Sequence, residues 1–181
     1  MSVDAWALDE LVVSRVRAAA PGMSVRRIPF TKEELARRRK SVSFFQSSAA
    51  TPKEFVQYLA PRINCERYVV VHRHGGGQRE FGIGISKHYL AKHAYLFAMM
   101  YIRVYDGRTF ELIKEAPALM TENTFPERVL HNPVGGPSRA LDSEIFPEKP
   151  TDAVGNPVLR EGVRAMLTAS LDKTLPLMLR P

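Results

Sequence analysis

Asp106-Gly107 lies between two apolar-rich runs, and this arrangement constrains the fold more than any other feature of the sequence. The runs cover residues 94–105 and 108–116. Asp-Gly in such a position is a strong hairpin signal, because a type I′ turn needs positive φ at both central residues. Both faces of the first run are rich in apolar and aromatic side chains, which indicates a strand covered on both sides. The sequence therefore predicts two long antiparallel strands joined by a two-residue turn.

Three further segments have the apolar spacing and end signals of helices. Residues 4–20 carry an apolar stripe and end before Pro21-Gly22, and Thr51-Pro52-Lys53-Glu54 reads as a capping box that opens a second helix. Asn156-Pro157 opens a C-terminal helix over about 157–175, with Asn at the N-cap and Pro at N1. Its stripe predicts a buried face made of Leu159, Val163, Met166, Leu167, Ser170, Leu171 and Leu175.

Other segments are typical of strands. Residues 67–71 form a β-branched run suited to an interior strand, and 81–86 read as a strand whose glycines allow close backbone approach. Residues 24–30 predict a short strand, followed by a charged helix over 32–40. The proline-rich stretch 117–156 is predicted to be irregular, with short turns wrapping the surface.

This element order predicts one α/β domain, of the α+β kind, over residues 1–181. We expect a mixed or mainly antiparallel sheet of four or five strands with helices packed on it. Hydrophobic residues make up 45% and charged residues 25% of the 181, so the chain can bury a core and is not a disordered polymer. With Cys65 as the single cysteine, no internal disulfide or cysteine-rich zinc cluster can form. The longest apolar run, 94–102, is too short for a transmembrane segment.

A basic segment is the candidate surface for an anionic partner. The net charge is +7, and residues 26–40 contribute +5 of it, from seven basic and two acidic residues. Such a cluster attracts nucleic acid, anionic lipid or an acidic protein, although basic residues near a helix C-terminus are also common as a solvated helix end. No aromatic residues alternate with the cations as a stacking platform for bases would require. The candidate partner residues are Arg26, Arg27, Arg37, Arg38, Arg39 and Lys40.

His72 and His74 form the one candidate ligand site. Two histidines at i and i+2 on a strand point to the same face and are able to share a metal ion, and Gly75-Gly76-Gly77 beyond them would admit a ligand. Nothing in the spacing fixes a third ligand, so a strand end running into an exposed turn is the competing interpretation. The glycines lead into another strand rather than into a helix, which favours a hairpin over a phosphate-binding loop. The sequence points to no catalytic residue and to no cofactor.

The centre of the chain resembles the small α/β domains of bacterial envelope lipoproteins, namely the curli-secretion lipoprotein and the outer-membrane activators of penicillin-binding proteins. The resemblance lies in the strand Arg67-Tyr-Val-Val-Val, the strand Phe81-Gly-Ile-Gly-Ile-Ser, and the hairpin positions Asp106, Thr109 and Glu111. It covers roughly residues 4–116 and the last helix, and it implies an α/β fold but no catalytic residue. Members of this group begin with a lipoprotein signal and an extra strand, neither of which is visible here.

The expected function is therefore a non-catalytic accessory or interaction domain of the bacterial cell envelope, with an unknown protein or an anionic surface as its partner. One alternative is a small cytoplasmic enzyme or ligand-binding protein using residues 72–77. Another is a nucleic-acid binder using residues 26–40. A helical pattern that starts within five residues of Met1 suggests missing upstream sequence and a periplasmic or envelope location; a complete chain would instead indicate the cytoplasm.

Overall fold

A computed structural model of the protein describes residues 4–31, 33–35, 37, 50–73, 75–76, 79–80, 82–87, 94–118, 137–149 and 151–180. Its helices are α1 (Leu8–Ala19), α2 (Ala50–Leu59), α3 (Asp152–Gly155) and α4 (Pro157–Leu179), and short 3₁₀ turns cover Asp4–Trp6, Ala60–Arg62 and Ser143–Ile145. The strands are β1 (Arg67–Arg73), β2 (Gly75–Gly76), β3 (Arg79–Glu80), β4 (Ile83–Lys87), β5 (Ala94–Ala98), β6 (Met100–Asp106), β7 (Leu112–Pro117) and β8 (Ser138–Leu141). The predicted α/β class is thereby confirmed.

The strands form two three-stranded antiparallel sheets rather than one sheet of four or five strands. One sheet has the order β1-β6-β7 and the other the order β4-β5-β8, while β2 and β3 pair with each other. The predicted long strand over 94–105 is divided at Met99, where the chain passes from one sheet to the other. At this point the Met99 N–H donates to the Gly82 carbonyl at 2.8 Å and the Ala98 N–H to the Pro137 carbonyl at 3.0 Å.

Helix α4 covers the same face of both sheets. Its N-terminal half packs with Ala94, Leu96 and Ala98 of β5, and its C-terminal half with Ile102 and Val104 of β6. These five residues are all at even positions, so one alternating run supplies apolar faces to both sheets. The buried stripe predicted for the last helix is confirmed in full, and the helix continues to Leu179, beyond the predicted end near 175.

The start of α4 follows the predicted cap. The Asn156 side chain accepts hydrogen bonds from the Val158 and Leu159 N–H groups, and Pro157 occupies the first helical position. Thr51, in contrast, is not an N-cap, because Ala50 and Thr51 already belong to α2. The predicted start of α2 is therefore too late along the chain, as often happens when a boundary is placed from sequence.

The Asp106-Gly107 hairpin exists, but its turn is longer than the predicted two residues. Tyr105 pairs with Leu112 across a bulge, and the Asp106 N–H donates to the Glu111 carbonyl at 2.9 Å. Gly107 does not adopt positive φ; Phe110, with φ of 58°, takes the left-handed conformation in this loop. The turn is built around the Asp106 carboxylate, whose Oδ1 accepts from the N–H groups of Arg108 and Thr109 and from the Thr109 hydroxyl. Those bonds lower the pKa of Asp106.

Three other expectations need correction. Strand β1 lies at the edge of its sheet, not in the interior. Residues 24–30 form no strand, since Val25 and Ile28 pack into two different core clusters and no neighbouring strand pairs with them. The predicted irregular stretch 117–156 includes the end of β7, all of β8 and α3 within its described residues. Strand β8 was missed because it is short and directly follows Pro137, and its pairing with β5 is what makes it a strand.

Candidate interaction surface

The basic segment begins in an extended stretch that crosses from α1 to α2. Val25 packs with the α1–α4 cluster, and Ile28 packs with the cluster that includes Val56 and Ala60 near α2. Because apolar side chains hold this stretch at two points, the polar side chains between them face outward. Residues 24–30 therefore form a surface strap over the end of the domain.

Arg27, one of the predicted partner residues, is already paired within the domain. Its guanidinium contacts the Asp9 carboxylate at 2.6 Å and the Glu10 carboxylate at 2.8 Å, both on the first turn of α1. Its neighbour Arg26 is exposed and makes no ion pair with any described residue. Arg26 therefore remains a candidate contact for an anionic partner, whereas Arg27 holds the strap on α1.

A capping box starts the helical turn that follows the strap. The Glu34 N–H donates to the Thr31 hydroxyl at 3.2 Å, and the Thr31 N–H donates to the Glu34 carboxylate at 2.7 Å. Residues 33–35 and 37 are helical. The Thr-x-x-Glu pattern at 31–34 is the signature that sequence reasoning passed over while placing the capping box at Thr51.

Glu34 also ties this turn to α2 and the 3₁₀ turn after it. Its carboxylate accepts a hydrogen bond from the Tyr58 hydroxyl at 3.1 Å and forms an ion pair with Arg62. The hydrogen bond from Arg62 and the one from the Thr31 N–H lower the pKa of Glu34 to about 2. In turn, the bond with Glu34 raises the pKa of Arg62. The carboxylate therefore stays ionised at any ordinary pH.

Further contacts hold the same junction. Arg62 Nη1 donates to the Pro29 carbonyl at 2.8 Å, and its guanidinium lies 5.2 Å from the centre of the Tyr58 ring. The Phe30 ring meets the Phe55 ring edge-on, with centroids 5.1 Å apart. The entry to the basic helical turn is consequently fixed on α2 by apolar, aromatic and charged contacts together.

The ion pair between Glu34 and Arg62 determines whether Glu34 can neutralise the basic residues that follow it. On a helix, Glu34 would face Arg37 at i+3 and Arg38 at i+4. Its carboxylate points instead to Arg62, 28 residues away in sequence. Arg37 is exposed and makes no ion pair with any described residue, and Arg38, Arg39 and Lys40 lie outside the described residues. The geometry leaves Arg26 and Arg37 exposed on either side of an anchored junction.

The histidine site predicted at 72 and 74 is described only in part. His72 lies on β1 with its Nδ1 2.8 Å from the Arg73 carbonyl oxygen and its ring 6.0 Å from that of Tyr101, while His74 is outside the described residues. Within the described part of the chain, no three His, Cys, Asp or Glu side chains converge in a way that could hold a metal ion. The glycine hairpin beyond β1 is present, since Gly75 and Gly76 pair with Glu80 and Arg79.

Sequence reasoning missed a polar cluster on the face of β6 opposite α4. Arg103 is only 5% exposed, and its Nε donates to the Glu115 carboxylate at 3.2 Å. Its guanidinium lies 5.5 Å from the Tyr101 ring centre. Burial raises the pKa of the neighbouring Tyr105, with the Arg103 charge opposing that shift. The sequence could have indicated this cluster, because residues 101, 103 and 105 are at alternate positions of one strand and must therefore share a face.

These contacts decide what each surface is able to do. The Arg103 charge is balanced by Glu115, which indicates a structural role for that cluster. The exposed cations Arg26 and Arg37 are able to contact an anionic group. No helix in the described portion is both long and apolar enough to cross a membrane.

No protein-family model matches this chain, and neither does any curated protein or any solved structure.

Proposed function

We propose that this protein is a non-catalytic interaction domain of the bacterial cell envelope whose basic segment, residues 26–40, docks onto an acidic surface of a protein partner. The observation that carries the proposal is the capture of Glu34 by Arg62 and Tyr58. Since that carboxylate is paired with Arg62, it forms no ion pair with Arg37, the described arginine that follows it in the chain. Arg26 and Arg37 are exposed on either side of this junction, where their charges attract an acidic partner.

The strap supports this proposal by giving the segment a fixed position. Flexible basic tails pay an entropic cost when they bind, whereas a segment held at both Val25 and Phe30 loses less freedom on docking. Arg27 contributes to the anchoring rather than to the partner, because Asp9 and Glu10 already neutralise it. The envelope assignment is supported by the resemblance of the strand and hairpin motifs to envelope lipoproteins.

An acidic protein is favoured over nucleic acid because the segment is poor in aromatic residues. Phe30 is the single aromatic residue in the sequence of residues 26–40, and its ring packs edge-on against Phe55. A single ring cannot supply the row of aromatic side chains on which successive bases stack. A carboxylate-rich protein surface needs only charge and hydrogen-bond donors, and Arg26 and Arg37 supply both.

The test is a binding titration with fluorescent polyglutamate as the acidic probe, over a salt series. We expect the full chain to bind at low salt and to weaken as salt increases, because ions screen the contact. The variant Arg37→Gln/Arg38→Gln/Arg39→Gln should bind about tenfold more weakly, since each exposed ion pair contributes about 0.2–1 kcal/mol. A matched control removes the same charge elsewhere, as Arg139→Gln/Lys149→Gln/Arg160→Gln, and should bind like the unmodified chain.

Two outcomes would contradict the proposal. If both triple variants bind polyglutamate equally well, the segment is only a solvated helix end. If the full chain prefers single- or double-stranded DNA to polyglutamate at equal salt, and the 37–39 variant loses that preference, the segment serves nucleic acid instead.

A further inference from the structure

Strand β1 has one edge that pairs with β6 and one edge that points away from the sheet. The order β1-β6-β7 places β1 outermost. The Gly107 N–H donates to the Glu66 carbonyl at 2.8 Å, which marks these two residues as a hydrogen-bonded pair just beyond the β1–β6 register. Such pairs alternate along antiparallel strands. The even-numbered residues of β1 therefore bond with β6, and the N–H and C=O groups of Arg67, Val69 and Val71 point outward.

The outward groups of β1 have no backbone partner among the described residues. The strap, residues 24–30, forms no strand, and none of its backbone groups bonds with β1. No other described segment donates a backbone hydrogen bond to Arg67, Val69 or Val71, or accepts one from them, on this outer side. An edge of this kind is a template on which another extended chain is able to pair.

The opposite edge of the same sheet is interrupted, whereas β1 is regular. Strand β7 has a register shift beside Tyr105 and ends at Pro117, which has no N–H to donate. Strand β1 pairs in unbroken register over seven residues and contains neither proline nor glycine. Its centre, residues 68–71, is Tyr-Val-Val-Val, which combines high β-propensity with no charge. Strand β1 therefore has the features that favour pairing with a further strand, and β7 has features that oppose it.

The arginines at the two ends of β1 disfavour its pairing with a second copy of the chain. In the antiparallel register with the greatest overlap, Arg67 of each copy would lie opposite Arg73 of the other. Both side chains are exposed, and like charges directly opposite each other destabilise a strand pair. Across the ladder, Asp106 faces Arg67, whereas the residue that faces Arg73 is the uncharged Met100. A segment of another protein with carboxylates at both positions would replace this repulsion by attraction.

We propose that the outer edge of β1 binds an extended segment of a protein partner as an additional antiparallel strand. The main chain of the segment bonds with the outward groups of Val69 and Val71, and its carboxylates lie opposite Arg67 and Arg73. Apolar side chains of the segment lie beside those of Val69 and Val71, which pack with the core cluster under α1 and α4. This site differs from the basic segment, because it recognises an extended backbone and not charge alone.

The test is fluorescence anisotropy of the full chain with a labelled peptide of sequence acetyl-Glu-Thr-Val-Val-Val-Thr-Glu-amide. Its third and fifth residues would lie opposite Val71 and Val69, and we expect saturable binding. N-methylation of the third and fifth residues removes the N–H groups that bond with β1 and should weaken binding about tenfold. N-methylation of the second and fourth residues, whose N–H groups point away from β1, is the matched control. That peptide should bind like the unmethylated one.

Amide hydrogen exchange measured by NMR locates the contact on the protein. In the free chain, the N–H groups of Val69 and Val71 should exchange faster than those of Tyr68 and Val70, because only the latter bond with β6. Addition of the peptide should slow exchange at Val69 and Val71. The peptide with N-methyl groups on its third and fifth residues should leave exchange at these two positions unchanged.

Several results would overturn this inference. Absence of saturable binding, equal binding of the two methylated peptides, or unchanged exchange at Val69 and Val71 would each do so. Slow exchange at these residues in the free chain would mean that another part of the protein already covers the edge. If the chain self-associates in sedimentation velocity and the peptide dissociates it, the edge pairs with a second copy instead. The methylated peptides carry equal charge, so this test and the polyglutamate titration of the basic segment can fail independently.

Discussion

Gly107 lies against the carbonyl group of Cys65 so closely that no side chain fits between them. A Cβ at position 107 would overlap the Cys65 carbonyl oxygen and lie 2.7 Å from the carbonyl carbon and oxygen of Glu66. The Gly107 N–H also donates to the Glu66 carbonyl at 2.8 Å. The turn after β6 is therefore packed on the chain that enters β1. The requirement for glycine here is steric, not conformational, because Gly107 does not have positive φ.

Gly107→Ala should destabilise the protein by about 1 to 3 kcal/mol, since the added methyl group must push backbone apart. Urea denaturation measures the change in the free energy of unfolding. Gly155→Ala is the control, because a Cβ at position 155 would have no atom within 4 Å, and its effect should stay within about 0.5 kcal/mol. Equal midpoints for Gly107→Ala and the unmodified chain would show that the turn can move away from Cys65.

Tyr68 and Tyr105 form a cross-strand pair in which the two hydroxyl groups have different surroundings. The Tyr68 hydroxyl donates to the Ile63 carbonyl at 3.0 Å, whereas the buried Tyr105 hydroxyl has no hydrogen-bond partner among the described residues. Tyr68→Phe should cost about 1 kcal/mol of stability, and Tyr105→Phe should cost nothing or stabilise, because it removes a buried group that is not hydrogen bonded. Thermal and urea denaturation of the two variants make the comparison. A larger loss for Tyr105→Phe would show that this hydroxyl has a bound partner, such as an ordered water molecule.

Glu34 should titrate well below an ordinary glutamate. Its folded-state pKa of about 2 is lower than its usual 4.5. The stabilisation it provides is therefore fully present above pH 4.5 and is lost as the pH falls through about 2. NMR titration of the carboxyl carbon should give a midpoint near 2, and Arg62→Gln should move that midpoint upward. A midpoint near 4.5 in the unmodified chain would mean that the Arg62 contact is not formed in solution.

Asn156 should be a stabilising cap for α4. Its side chain accepts from both the Val158 N–H at 2.9 Å and the Leu159 N–H at 3.3 Å. Asn156→Ala should reduce the free energy of unfolding by about 1 kcal/mol, whereas Asn156→Asp should retain most of it, because aspartate caps helices equally well. Urea denaturation of both variants tests this. If the two substitutions have the same effect, the cap contributes little to the stability of α4.

The spacing of apolar residues along the sequence was sufficient to predict the helices that bury one side. The apolar spacing of α4 and the cap at Asn156 are properties of neighbouring residues, and both were confirmed. Strand β1 was also predicted, because its β-branched run favours an extended chain whatever lies beside it. The face shared by the even positions of β5 and β6 followed from simple alternation.

The candidate surface was predicted less completely. Composition identified the basic segment, but it gave no sign that Arg27 pairs with Asp9 and Glu10 or that Glu34 is held by Arg62. These partners are separated by 17 to 28 residues, and their meeting depends on where the strap crosses α1 and α2.

The sequence by itself determined the periodic elements and their apolar faces, because those depend on residues within a few positions of one another. Only the tertiary structure decided that one apolar run divides at Met99 between two sheets, since strands β4 and β8 pair with β5 while β1 and β7 pair with β6. The same is true of Gly107, where the backbone of residues 65 and 66 leaves no room for a side chain. Each of these features arises from contacts between distant segments, and local periodicity carries no information about which distant segments meet.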